Sequence, residues 1–321
     1  MHNYQKISDR VEYLIIDNPR NESGGVRWVN IVNAGKSEIN YLRKNYSFDL
    51  AHLRSTAASV LTQRPIIFKN QNYLFLILHF PTLIDDRVVA GEINFFVGHE
   101  FLVTAHNNNL PALNRFFNLG KKDPNSLLSF SLESSAILLY EIIERLINDC
   151  YGLLDNNSVE IEKVEDLIFS GEQKAAVSKI LLLRRNIINI RKIVQNHKNI
   201  LKELTRMKSS LIDPAAIKKH YSILVEDSKR LWENLDNQRE MVEVLNSTNE
   251  SLLNNQMNTV MKTLTVFSVI VFPLTLLAAI FGMNSINMPF AKNPMGFWII
   301  ISIMLSGTLG MVLLFKSKRW I

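Results

Sequence analysis

Residues 273–284 read PLTLLAAIFGMN, and this stretch decides the fold. It lies inside a run of 29 residues without a charged side chain, between Lys262 and Lys292. A second uncharged run of 23 residues follows at 293–315. Because a helix needs about 20 apolar residues to cross the hydrocarbon layer of a bilayer, the two runs predict two membrane-spanning helices. They exclude a purely soluble protein.

We expect the first span at about 263–283 and the second at about 297–315, within a transmembrane domain over residues 263–321. Basic residues flank one end of each span: Lys262, Lys316, Lys318 and Arg319. The positive-inside rule places these ends in the cytoplasm, which predicts a multi-pass membrane protein with the connecting loop outside. Two spans cannot enclose a pore, so any conducting form must be an oligomer around the first span.

The charge balance argues against a nucleic-acid partner. The chain of 321 residues has 36 Lys and Arg against 30 Asp and Glu, and four of the basic residues follow residue 262. The remaining 32 basic residues nearly balance the 30 acidic ones, so no net basic surface is available to neutralise phosphates. Cys150 is the single cysteine and cannot form an intramolecular disulfide, which fits a reducing compartment.

Residues 1–126 are predicted to form a cytosolic α/β domain. Apolar residues alternate over 26–32, as in a strand. Apolar runs flank the turn signals at 69–72 and 98–99, which indicates two hairpins. Residues 39–60 can supply one or two helices, and we expect helices to cover one face of the sheet.

A helical region should follow over residues 127–262. Residues 141–172 carry nine acids, whereas 179–208 carry nine bases and one acid. Ser170 and Gly171 lie between them and suggest a turn. We interpret the region as two antiparallel helices with complementary exposed faces; the alternative is that one helix senses ions or membrane charge.

A long stalk helix is predicted over about 214–262. Asp213 can cap its start, and Pro214 suits the first helical position. An apolar seam repeats in steps of four and three, which is typical of a coiled coil or helix bundle. Its positions are Ile217, Tyr221, Leu224, Ser228, Leu231, Leu235, Gln238, Val242, Leu245, Asn249, Leu252 and Gln256. The four polar members suggest a partly wet seam, and no breaker separates stalk from span, so both should form one helix.

Gly282, Met283 and Asn284 follow directly on the first span. Together with the preceding Pro-Leu-Thr, a Met-Pro at 288–289, a second span and a basic end, they resemble the CorA family of divalent-cation channels. The resemblance implies an α+β cytosolic domain, a long stalk helix and a two-helix transmembrane domain in a homopentamer. It places this assembly in the plasma (inner) membrane with both termini in the cytoplasm. It also implies magnesium as the most common cargo and as a candidate regulator, with no resident cofactor.

The chemistry of this motif suits a hydrated cation. Magnesium holds its water tightly, so a selective site is easier to build around the hydrated ion. The amide oxygen of Asn284 and the carbonyl oxygen of Gly282 can accept hydrogen bonds from metal-bound water, and five copies would form a selecting ring. The alternative is that the motif is only a helix C-cap with Gly or Asn in the left-handed conformation.

A candidate pore line runs down the first span from this motif. Residues spaced by three and four, or matching the family's pore line, are Asn258, Met261, Leu264, Thr265, Ser268, Phe272 and Thr275. Asn258 and Thr275 can bond the waters of a passing ion. Met261, Leu264 and Phe272 can form an apolar constriction that closes by dewetting. The alternative is that these side chains face lipid or the second span.

The chain departs from the family pattern in three places. The family often has Met where Phe272 stands, and its outer loop often carries acids, whereas residues 285–296 have none and contain Lys292. Family members that sense cytosolic magnesium pair carboxylates between subunits, one of them just before the position of Gln63. Residues 50–84 contain no acid, so Glu226 and Asp227 on the stalk are the candidate regulatory ligands.

The sequence therefore predicts a divalent-cation channel, with magnesium first. Zinc, cobalt or nickel transport within the same superfamily is the nearest alternative, and a membrane-anchored coiled-coil sensor or scaffold is the alternative from another class. An enzyme is not expected, because the seven histidines form no His-Glu-x-x-His or similar motif. Asp85 and Asp86 are interpreted as turn residues rather than catalytic acids.

Overall fold

A computed structural model describes residues 4–16, 25–57, 64–122, 134–206, 214–283, 289, 294–318 and 320, with the side chains of 214–217 outside that description. The chain divides into two compact units, Met1–Leu245 and Asn246–Ile321. The three-part division expected from the sequence, 1–126, 127–262 and 263–321, stays a prediction.

The first unit contains a seven-stranded sheet. Its strands are β1 (Tyr4–Ser8), β2 (Val11–Ile16), β3 (Val26–Val32), β4 (Ile66–Lys69), β5 (Leu74–Ile84), β6 (Arg87–Val97) and β7 (Phe101–His106). The spatial order is β1-β2-β3-β7-β6-β5-β4. β3 pairs with β7 in parallel, and the other neighbouring pairs are antiparallel.

Both predicted hairpins and the predicted strand over 26–32 are confirmed. One hairpin joins β4 to β5, with Ile66 opposite Ile77, and the other joins β6 to β7. A third hairpin joins β5 to β6 through Asp85 and Asp86, whose φ angles are +48° and +60°. Two successive positive φ values match a tight hairpin turn, so these two acids are turn residues, as expected.

Eight helices accompany the sheet within the described ranges. They are α1 (Lys36–Tyr46), α2 (Leu50–Ser55), α3 (Pro111–Lys122), α4 (Ser135–Phe169), α5 (Gln173–Val194), α6 (His197–Arg206), α7 (Pro214–Gly282) and α8 (Gly296–Ser317). Helices cover both faces of the sheet, not one as expected. Leu42 of α1 and Leu53 of α2 join the core on one face, whereas Trp28 packs against Phe116 and Phe117 of α3 on the other. The central strands are buried on both sides and need two covering layers.

α4 and α5 form the predicted antiparallel pair. The turn between them contains Gly171 at a φ of +92°, a conformation that glycine adopts without steric cost. Complementary charges between the two helices were expected, but the ion pairs described for basic side chains of α5 reach α7. Arg191 lies 2.7 Å from Asp236, and Arg184 lies 3.5 Å from Glu243.

The heptad seam of α7 is a bundle seam within one chain. Tyr221, Leu224 and Leu231 are fully buried. The Tyr221 hydroxyl donates to the carbonyl oxygen of Ala136 on α4 at 2.8 Å. The Gln238 amide donates to the carbonyl oxygen of Leu154 on α4 at 2.8 Å. The apolar seam stabilises the packing of α4 and α7, and Gln238 makes a specific polar contact in it.

Stalk and first span form one continuous helix, as the unbroken heptad predicts. α7 runs from Pro214 to Gly282 with Pro273 inside it. Asp213, the expected cap, lies outside the described residues. By length and composition, α7 and α8 are both able to cross a membrane. α8, Gly296–Ser317, contains the predicted second span.

Candidate ion pathway

The predicted pore-line residues all lie on α7 and share one side of it. Their spacing of three or four residues places Asn258, Met261, Thr265, Phe272 and Thr275 along one stripe. Side chains of this stripe are open to the surroundings, with Phe272 71% exposed. Leu264 lies at its margin, and Ser268 within it is half-buried.

The opposite side of the same helix is partly covered. Val266 is buried, and Ile270, Leu274 and Leu277 are half-buried at helical spacing. α8 has a matching covered stripe that includes Met304 and, at its end, the buried Phe315. These stripes have the spacing expected if the two helices pack against each other, and Phe315 also stacks on Trp320 with ring centroids 5.9 Å apart. The candidate pore line lies apart from this covered side, except for the half-buried Ser268, and its assignment to a pore stays a prediction.

The hydroxyl groups of the stripe are held by their own helix. Thr265 donates from Oγ1 to the carbonyl oxygen of Met261 at 2.8 Å. Thr275 donates in the same way to Val271 at 2.9 Å. A hydroxyl that donates to the backbone keeps oxygen lone pairs for an outside donor. Both groups can accept hydrogen bonds from the water shell of a cation without contributing charge.

The helix ends at Gly282, where the selectivity motif begins. The Met283 amide donates to the carbonyl oxygen of Ile280 at 3.3 Å, and the Met283 side chain is 64% exposed. Gly282 is not among the described glycines with positive φ, so it does not supply the left-handed residue of the C-cap alternative, for which Asn284 was the other candidate. A Cβ at Gly282 would meet nothing within 4 Å. Asn284 lies outside the described residues.

A polar groove continues the stripe on the N-terminal side of Asn258. A cavity of about 540 Å³ borders Ser247, Glu250, Ser251, Asn254, Asn255 and Asn258. Sequence reasoning named only Asn258 of this set. The signal for the others is the helical spacing of polar residues from Asn258 back to Ser247, on a different side of the helix from the apolar seam.

The two regulatory candidates lie on α7 in different surroundings. Glu226 is exposed, and its carboxylate lies 3.7 Å from Arg230 Nε. Asp227 is half-buried, and its backbone carbonyl accepts a hydrogen bond from the Tyr151 hydroxyl at 3.0 Å. Loss of solvent raises the pKa of Asp227. The charge of Arg230 lowers this pKa, and the carboxylates of Glu144 and Glu226 raise it. Asp227 of the stalk and an acid of α4 therefore repel each other.

These acids do not form a complete metal site within one chain. No group of three His, Cys, Asp or Glu side chains in the described ranges could hold a metal ion. Glu144 is one of the nine acids in residues 141–172. The two regions considered for ion sensing, this acidic helix and the stalk acids, therefore meet at Asp227. The regulatory assignment of Glu226 and Asp227 stays a prediction.

A family model and several known proteins match this chain over most of its length. The family model described as CorA-like Mg2+ transporter protein matches residues 23–319. The cobalt/magnesium transport protein CorA of Methanocaldococcus jannaschii is 24% identical, over 92% of this chain and 91% of that protein. The protein of the same description from Thermotoga maritima is 29% identical, over 57% of this chain and 52% of that protein. The complete structure of the CorA magnesium transporter from M. jannaschii aligns with a TM-score of 0.83 at 22% identity, covering 98% of this chain and all of that one.

Proposed function

Since this chain belongs to the CorA-like Mg2+ transporter family, we propose that it works as a homopentameric channel for magnesium in the plasma membrane. It is a membrane transporter of divalent metal cations, and the family is one of transporters rather than enzymes. The observation that supports a pore on α7 is the stripe of polar and apolar side chains that is mostly exposed in a single chain.

Conduction requires several copies of the chain. One α7 and one α8 cannot surround water, and the stripe on α7 lacks a covering partner among the described residues. Copies arranged around α7 would place Thr265 and Thr275 toward a shared axis. The apolar sides of α7 and α8 would then face one another and lipid.

Selection would occur at the outer end of α7. Five Asn284 amide oxygens and five Gly282 carbonyl oxygens would accept hydrogen bonds from the water around magnesium. Neutral acceptors leave the inner water shell in place, because no carboxylate competes for the metal. Met261, Leu264 and Phe272 would then close the pore by excluding water when it narrows.

The membrane potential would drive uptake into the cytoplasm. Moving two charges through 100 mV releases about 4.6 kcal/mol, twice the single-charge value. The basic residues Lys262, Lys316 and Lys318 favour cytoplasmic placement of both termini. Magnesium is cargo and candidate regulator here, and no resident cofactor is needed.

Metal uptake into liposomes tests this function. Purified protein is reconstituted, and entry of magnesium, zinc, cobalt and nickel is compared under an imposed negative-inside potential. Magnesium entry that stops without the potential would support the proposal. Zinc entry without magnesium entry would favour the zinc alternative, and no entry of any metal would favour a scaffold.

The assembly has its own test. We expect the detergent-solubilised particle to have the mass of five chains, about 185 kDa of protein from five times 36.9 kDa per chain. Light scattering with detergent subtraction or native mass spectrometry measures it. A stable dimer would contradict the pore, because two copies of α7 cannot line a channel.

Regulation by cytosolic magnesium should be weak and should depend on the stalk acids. A bound cation favours the closed state only through its higher affinity for that state. Magnesium bound near Asp227 would relieve the repulsion between Asp227 and Glu144. The chain lacks the partner acid that the family has just before the position of Gln63, so this binding should be weaker. We expect weaker inhibition than in members with both acids, and further loss in the Glu226→Gln, Asp227→Asn variant.

Current recorded against cytosolic magnesium measures this effect. Glu233→Gln is the matched control, because Glu233 lies on the same helix and pairs with Lys229 at 3.6 Å. Inhibition should persist in the control. Tight inhibition that survives the double change would place the sensor elsewhere, most plainly among the acids of α4.

A further inference from the structure

The cytosolic unit contains a cavity that the ion pathway does not use. It has a volume of about 650 Å³ and lies between the β4–β6 edge of the sheet, the end of α5 and the residues before α6. Pockets that hold small organic ligands have roughly 300–1,000 Å³. The space is therefore large enough for a molecule of mononucleotide size.

The charged side chains at this cavity are basic. Arg64 comes from the residues before β4, and Lys192 comes from the last turns of α5. Among the residues that the structure describes, neither has an ion-pair partner. Two unpaired cations at one concave surface create a positive potential that favours an anion.

One carboxylate, that of Glu92, lies behind the lining of the cavity and offsets only part of the charge of the two cations. His79 lines the cavity, and its Nε2 lies 3.2 Å from Oε2 of Glu92. The other Glu92 oxygen accepts a hydrogen bond from the Asn94 amide at 2.9 Å. The Glu92 carboxylate is thus held inside the sheet by two partners and does not point free into the cavity.

The remaining lining suits an organic body. Pro65, Val88, Ala90 and Ile193 give an apolar floor, and Gln195 and Asn196 add amide groups. Asn189 donates from Nδ2 to the carbonyl oxygen of Val88 at 3.3 Å, which leaves its amide oxygen as an acceptor. Inorganic phosphate would use the two cations but not this floor.

We propose that this cavity binds an organic phosphate of mononucleotide size. Arg64 and Lys192 bind the phosphate, the apolar floor contacts the base or sugar, and the amides bond to its polar edge. Arg64 and Lys192 lie on separate elements, so the ligand would link α5 to the edge of the sheet. This binding does not depend on the proposed transport.

Isothermal titration calorimetry on the full-length protein in detergent tests the site, with EDTA present so that metal–phosphate complexes do not contribute. The probes are adenosine monophosphate, ribose 5-phosphate, adenosine and inorganic phosphate. We expect saturable binding of at least one organic phosphate, and at least about tenfold weaker binding of adenosine and inorganic phosphate. The first two probes distinguish a nucleotide from a sugar phosphate.

Variants at the two cations test the mode of binding. Arg64→Gln and Lys192→Gln should each weaken binding about tenfold, as expected for loss of one charge-assisted contact. Lys179→Gln removes the same charge from another side of α5 and should leave binding unchanged. As a second measurement on the unaltered protein, the ligand should protect Lys192 but not Lys179 from an amine-reactive reagent.

Three results would overturn the proposal. The first is that neither organic phosphate binds saturably. The second is that both cation variants bind as tightly as the unaltered protein and that the ligand does not protect Lys192 from the reagent. The third is that inorganic phosphate binds as tightly as the organic probes. None of these results depends on metal flux, so they leave the proposed channel function untouched.

Discussion

Replacement of Asn284 by alanine is expected to reduce metal uptake at least about tenfold while pentamer yield stays near normal. In the proposed pentamer, the change removes five amide acceptors from the outer end of the pore and keeps the apolar surface of α7. A loss of only about 1.5 kcal/mol in hydrogen bonding to the hydrated ion lowers its binding roughly tenfold.

The measurement is initial magnesium uptake into liposomes, normalised to the amount of assembled protein. Asn287→Ala is the matched control, because it removes the same amide from the same loop outside the Gly-Met-Asn motif. Uptake should stay close to the unaltered level in the control. Wild-type uptake by Asn284→Ala would show that this amide does not recruit the ion.

Polar substitution of the apolar constriction is expected to open a leak. Met261→Ser and Phe272→Ser remove large, exposed apolar side chains from the proposed pore stripe on α7. Burying one methylene group contributes about 0.8 kcal/mol, so the loss of several such groups per copy lowers the cost of wetting a closed pore. Cation leak at high internal magnesium should rise on the order of tenfold or more.

Phe267→Ser provides a close control for this leak. Phe267 is 63% exposed, nearly as much as Phe272, but lies five residues away on another side of the helix. The Phe267→Ser variant should leave the leak unchanged, although it removes the same apolar side chain as Phe272→Ser. Equal leaks in Phe267→Ser and Phe272→Ser would indicate general loosening of the membrane part, and unchanged flux in all variants would place these side chains toward lipid.

Much of the fold could be predicted because it depends on sequence patterns within single strands, turns and helices. The hairpin at β4–β5 follows from apolar runs around a four-residue polar turn, and the helix break at Gly171 follows from one glycine between helical segments. β1 and β2 were not predicted. β1 is a mostly exposed edge strand, so its residues carry little of the apolar alternation that marks an inner strand.

Part of the candidate ion pathway also depends on a local pattern, the spacing of residues along one helix. The shared side of α7 that carries Met261 and Phe272 follows from residue spacing alone, and in the structure both side chains are exposed. The coupling of Asp227 to Glu144 could not be predicted, because it depends on how α4 and α7 pack. The polar groove around Glu250 has a helical pattern that was open to sequence reasoning but was overlooked.

By itself the sequence determined the two spans, the unbroken stalk and the Gly-Met-Asn end of the first span. Each depends on hydropathy or spacing along one helix, which the chain specifies without reference to distant residues. Tertiary structure decided which partner the heptad seam uses. Heptad spacing shows that a helix side is buried but not what buries it, and here α4 of the same chain does so through Tyr221 and Gln238. Tertiary structure also brought Arg64 and Lys192 to one cavity, since strand order and helix packing, not sequence distance, place such residues together.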